Sequence, residues 1–202
     1  MAEITSQLVK QLRDRTGAGM MECKRALEEA KGDLAEAEVV LRKRGIAAAG
    51  KKAARTTGQG VIGSYIHPGA QLGVLLEVNC ESDFVARTDD FRQLVHDIAM
   101  QIAALDPKFV RREDVTEALL RKEREIQKER ALAEGKPPQV AEKMVEGRMS
   151  KFYEEVCLYE QPFIKDGTLT IGQLIASLIA KIGENITVAR FVRFKVGESA
   201  AE

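Results

Sequence analysis

The sequence predicts an α+β protein: a small helical domain at the N-terminus, then a core with a small antiparallel sheet and a protruding helical hairpin. Three observations predict it. Apolar residues recur at helical spacing in three short runs before residue 45. Val61–Ile66 and Leu72–Val78 are apolar and β-branched runs on either side of a Pro68-Gly69 turn, a β-hairpin pattern. Between residues 112 and 156 the chain is dominated by Lys, Arg and Glu, with sparse apolar anchors and a break at Gly135-Lys136-Pro137-Pro138. The expected domains are residues 1–45, a linker at 46–59, and a core at 60–202 that includes the hairpin at 112–156.

Composition narrows the function classes. Among 202 residues, 31 are basic and 31 acidic, so the net charge is zero, which argues against a broad nucleic-acid surface. Apolar residues make up 45% and aromatics 5%, so the core is aliphatic. No apolar run approaches the roughly 20 residues of a membrane span. The first 20 residues carry charges and no apolar signal core, so no secretory signal is expected, and with three widely spaced cysteines a cytoplasmic location is expected. Cys23, Cys80 and Cys157 are too widely spaced for a disulfide framework or a zinc site and read as reduced thiols. His67 and His96 are the only histidines, so no histidine-based metal site is expected; no cofactor is expected either.

In chain order, the first helix takes Thr5 or Ser6 as N-cap, buries Leu8, Val9 and Leu12, and stops at Thr16-Gly17. The second starts at Met20 and buries Cys23, Ala26, Leu27 and Ala30. Adjacent helical residues point about 100° apart, so one of Met20 and Met21 is expected to be exposed. Asp33, with Glu36 three residues on, caps a third helix that buries Leu34, Ala37, Val40 and Leu41 and ends at Gly45. Thr88-Asp89-Asp90 starts a core helix carrying Phe91, Leu94, Val95, Ile98, Ala99, Ile102 and Ala103. The hairpin's first helix relies on Val115, Leu119, Leu120, Ile126 and Leu132, and the hairpin would be roughly 30 Å long. Whether it has a function or only supports the fold is open. Gln161–Lys165 reads as a short edge segment, Asp166-Gly167 as a turn and Leu174–Ile182 as a buried helix. Ile186–Val196 alternates as a half-buried strand, and the last residues look frayed.

Two chemical readings can be weighed from the residues. Gly45 to Gly50-Lys51 has the spacing of a phosphate-binding loop, but Lys52 stands where Ser or Thr is needed and a helix precedes it instead of a strand. Cys80 and His96 could pair as nucleophile and base, but nothing supplies an orienting third group. No catalytic residue is therefore assigned. The strongest binding candidate is the polar stretch Asn79–Arg87, between a core strand and a core helix. The residues alone leave open whether Phe84 faces out or tucks into the core.

At Leu8-Val9-Lys10, Arg15–Met21, Glu77–Ala86, Gly135-Lys136-Pro137 and Ala141–Met149, the chain resembles the bacterial elongation factor Ts family. The resemblance implies that the three-helix domain is ubiquitin-associated-like. It also implies a guanine nucleotide exchange factor for elongation factor Tu, not an enzyme. The family's Thr-Asp-Phe-Val motif falls on Ser82, Asp83, Phe84 and Val85, with Ser for Thr. By resemblance, Phe84 wedges between helices of the G domain, Asp83 helps disturb the magnesium site, and Val85 is the inward anchor. Partner contacts are implied at Met20, Met21, Lys24 and His67. Ser64-Tyr65-Ile66-His67 runs straight into the Asp83-Phe84 segment, as in short members of the family, which implies a homodimer binding two copies of Tu. Alternatives from other classes are RNA binding through Lys51, Lys52 and Arg55, and a thiol enzyme at Cys80. Neither direct nucleic-acid binding nor a membrane partner is expected.

Overall fold

The computed structural model describes residues 4–135 and 137–198. The expectations for Lys136 and for fraying at 199–202 lie outside the described residues. The chain divides into two compact units, one of residues up to Ile62 with Glu77–Val95 and Gln173–Val188, the other of Gly63–Leu76, His96–Gly172 and the residues from Ala189 onward.

The first unit begins with three helices, α1 (Ser6–Thr16), α2 (Met20–Glu29) and α3 (Leu34–Lys52). Thr5 caps α1 through its side chain, and Gly17 ends it at φ 66°, where a side chain would be strained. Asp33 caps α3 by accepting from the Glu36 amide at 2.9 Å. Val9, Leu12, Cys23, Ala26, Leu27, Ala30, Ala37 and Val40 form one core, as the spacing predicts, while Leu8, Leu34 and Leu41 are only partly buried against it. Helix α3 does not end at Gly45. It continues to Lys52, so residues 46–52, expected as linker, are helical. The reason is packing. A side chain at Gly45 would meet Ala180 Cβ at 3.6 Å and Ala176 O at 3.8 Å, and the Lys52 ammonium donates to Ile179 O at 3.3 Å. Ala-rich sequence favours helix, and this docking outweighs the glycines.

Those contacts are with α8 (Ile171–Ile182), an apolar helix closed by Gly183 at φ 90°. Strands β1 (Gln59–Ile66), β2 (Leu72–Cys80) and β5 (Ile186–Lys195) form a sheet in the order β1-β2-β5. Gly60 is required there, since a Cβ would collide with the Val78 carbonyl oxygen. Strand β2 alternates: Val74, Leu76, Val78 and Cys80 are buried, but Leu75 is 46% exposed, so the strand is buried on one face only. In β5 the expected apolar face holds for Ile186 and Val188, then fails: Val192 and Phe194, and Val196 just beyond, are exposed.

Helix α5 (Asp89–Leu105) starts at Thr88, whose hydroxyl accepts from the Phe91 amide at 3.3 Å, and all seven of its predicted core residues are buried. In the second unit, α6 (Glu117–Ala133) and α7 (Pro138–Val156) form the predicted hairpin, about 25–28 Å long at about 1.5 Å per residue. Residues 112–114, expected as its start, are a separate 3-10 turn. Its seam is Ala131, Ala141, Val145 and Met149, while the expected anchor Leu132 is 43% exposed. Arg148 clamps both oxygens of Glu134 at 2.8 and 3.0 Å. Asp166-Gly167 opens β4 (Asp166–Thr170) instead of making a turn, and pairs antiparallel with β3 (Pro162–Phe163). Buried Gln101 holds this corner by donating to Gln161 Oε1 and Pro162 O and accepting from the Ile164 amide.

Candidate functional site

The stretch after β2 is not an open loop. It folds into a one-turn helix, α4 (Asp83–Ala86), and Ser82 is its N-cap. The Ser82 hydroxyl accepts from the Val85 amide at 3.4 Å and donates to Glu184 Oε1 at 2.6 Å. The Ser82 amide donates to Glu184 Oε2 at 3.0 Å. In the opposite direction, the Asn185 amide donates to Glu81 Oε1 at 2.6 Å. Two carboxylates thus cross between the same two segments, each taking a backbone N–H from the residue beside the other. The Asn185 hydrogen bond, first among the causes, holds the Glu81 carboxyl below its ordinary pKa, with Arg55 adding to the effect.

This geometry resolves the direction of the apolar pair. Val85 and Ala86 are buried at 7% and 6%, whereas Phe84 is 79% exposed. A helical step of about 100° separates neighbours, so a turn that anchors Val85 turns Phe84 outward. Asp83 is half exposed and paired with Arg87 at 2.8 Å. Such a surface pair is worth a few tenths of a kcal/mol, so Asp83 can exchange it for another partner at little cost.

The other predicted residues sit elsewhere. Met20 and Met21 are both exposed, at 56% and 61%, where only one was expected to be. The core face of α2 begins at Cys23, so its first turn overhangs the core. Lys24 is half exposed and 4.0 Å from Glu28. His67 belongs to the second unit. Its Nδ1 is 3.0 Å from the Tyr65 hydroxyl, and the Tyr65 ring meets His96 edge-on at 5.8 Å.

The family model for elongation factor TS matches residues 46–198. An elongation factor Ts of Solibacter usitatus is 74% identical over 98% of this chain and 94% of its own length. That of Koribacter versatilis is 63% identical over 96% and 89%, and that of Carboxydothermus hydrogenoformans 60% over 98% and 92%. The chain belongs to the elongation factor Ts family. Membership implies nucleotide exchange on elongation factor Tu in translation elongation.

For an elongation factor Ts, the remaining features read as structural. Burial raises the thiol pKa of Cys23 and Cys80, and pushes Cys157 up to about 11. These thiols are protonated at neutral pH, opposite to what a nucleophile needs. Gly45–Lys51 lies inside α3, so its amides serve the helix and make no phosphate cradle. Among the described residues, no helix is long and apolar enough to cross a membrane. Glu184 and Asn185 were missed by the sequence reading. They follow Gly183 as an ordinary polar connection, and no spacing relates them to Ser82, 102 residues away.

Proposed function

We propose that this chain drives GDP from elongation factor Tu by inserting Phe84 between helices of the G domain while Asp83 disturbs the magnesium site. The observation that carries the reading is a large aromatic, 79% exposed, on a turn tied down at Ser82, Val85 and Ala86. Exchange requires that the factor bind nucleotide-free Tu more tightly than Tu·GDP, because equal affinity shifts nothing. Burying one Phe only in the distorted state supplies roughly 1.5–3 kcal/mol of that difference, about one to two decades in the equilibrium constant. Met20, Met21 and Lys24 on α2 and His67 on the β1–β2 turn supply further contact. No covalent bond changes, so no catalytic group is needed, and the factor stays on empty Tu until GTP binds. The work is cytoplasmic. Residues 1–45 act as the ubiquitin-associated-like binding domain and residues 60–202 as the core.

The test is release of a fluorescent GDP from purified Tu. Wild type accelerates release strongly, and Phe84→Ala loses most of the acceleration. Equal rates for the two proteins contradict the wedge.

The factor acts as a homodimer that engages two copies of Tu. The supporting observation is an apolar groove of about 340 Å³ in the second unit, lined by Ile66, Leu75, Phe194 and Val196. Light scattering gives twice the 22.3 kDa chain mass, and Phe194→Glu shifts it toward one. A wild-type mass of 22.3 kDa at micromolar concentration rules the dimer out.

A further inference from the structure

We infer that Glu184 is a positioning residue for nucleotide exchange: its two carboxylate oxygens, on the amide and hydroxyl of Ser82, hold the turn that presents Phe84. The inference rests on the wedge reading and adds to it the group that makes the wedge rigid.

The argument begins with the turn itself. Helix α4 has four residues, and a single helical turn is unfavourable alone because several dihedrals are fixed for one hydrogen bond. Something outside it must impose its shape. Ser82 starts the turn in extended backbone, φ −126° and ψ 155°. Its amide and hydroxyl are the two groups that fix this start, and Glu184 takes both. At 2.6 Å the hydroxyl bond is in the short range of an O–H donor on a carboxylate. The Cys80 thiol donates to Ser82 O at 3.1 Å, so donors and acceptor of the cap residue are all engaged.

The gripping residue is itself held. Glu184 follows Gly183, whose amide closes α8 on Ile179 O at 2.9 Å. Asn185, only 3% exposed, donates from its side chain to Arg55 O at 2.9 Å and Ala53 O at 3.4 Å, and from its amide to Glu81. The connection 184–185 is thus anchored to a core helix on one side and to the chain just beyond α3 on the other. Without the Glu184 carboxylate, the turn samples other conformations, and apparent affinity for the partner falls with the populated fraction of the presented one.

The experiment is a double-mutant cycle in the fluorescent-GDP release assay. Glu184→Ala is expected to slow exchange at least about tenfold, because it removes both charge-assisted hydrogen bonds to Ser82. Glu184→Gln, which keeps one carbonyl acceptor, recovers part of it. In a Phe84→Ala background, Glu184→Ala adds no further loss, because both act through one side chain. Amide hydrogen exchange at Ser82 and Val85 accelerates in Glu184→Ala, with the rest of the protein unchanged. Should Glu184→Ala fail to fold, Ser82→Ala and Ser82→Thr take its place: Ala slows exchange and Thr, which keeps the hydroxyl, does not. Full activity of Glu184→Ala, or of Ser82→Ala in its place, beside an impaired Phe84→Ala overturns the positioning role and leaves the wedge standing. So does an equal loss in both backgrounds. Full activity of Phe84→Ala removes the wedge and this inference together.

Discussion

The Tyr65 hydroxyl lies 3.0 Å from Nδ1 of His67, and the same Tyr65 ring stands edge-on to His96. One imidazole nitrogen is therefore engaged by Tyr65. That bond restrains the orientation of the His67 ring.

Tyr65→Phe keeps the ring contact with His96 and deletes the bond to His67. We expect unfolding stability to change by under about 1 kcal/mol, since the bond is on the surface. Association with Tu is expected to weaken a few-fold, in the direction of His67→Ala but by less. Surface plasmon resonance on immobilised Tu measures both, and unchanged affinity in His67→Ala excludes the histidine from the contact.

Phe84 and Val85 are neighbours with opposite expected behaviour. Phe84→Ala costs exchange activity but leaves the unfolding free energy within about 0.5 kcal/mol of wild type, because the ring is exposed. Val85→Ala removes two buried methyl groups and leaves a cavity, costing about 1.5–2.5 kcal/mol of stability. Chemical denaturation separates the two, and a large stability loss in Phe84→Ala contradicts the outward placement.

The depressed Glu81 pKa sets a pH dependence. A carboxylate whose folded pKa is lowered contributes stability above its unfolded pKa, ordinarily 4.5, and loses it as pH falls through the folded value. The contribution is thus fully present at neutral pH and disappears only below 4.5. An NMR titration of the Asn185 amide proton follows it, with a midpoint below that value. Glu81→Gln abolishes the titration.

Gly45 predicts a change of sign. A Cβ there meets Ala180 at ordinary contact distance, and Gly in a helix interior costs up to about 1 kcal/mol relative to Ala. Gly45→Ala is therefore neutral or stabilising. Gly45→Leu has no room beside Ala176 and Ala180 and destabilises by about 1–3 kcal/mol. Thermal unfolding of the pair checks both directions. A Gly45→Leu as stable as wild type rejects the close docking of α3 on α8.

Much of the fold was legible because its signals are local. The caps at Thr5 and Asp33, the seven buried residues of α5 and the stop at Gly183 each depend on residues within a turn or two. What failed depended on distant partners. Gly45 reads as a helix end until Ala176 and Ala180 give its bare backbone something to pack on. Leu132 reads as a seam residue until α7 selects Ala131 instead.

The sequence by itself determined the family, most element types and a list of candidate contact residues, because motif order, periodicity and capping are written in neighbouring positions. The family resemblance already implied an outward Phe84 and an inward Val85; only the tertiary structure shows the turn that sets that direction. That turn is too short to stand alone, and Glu184, 102 residues from Ser82, supplies the carboxylate that shapes it. Sequence spacing carries no record of such a bond, because the fold alone brings the two residues within reach.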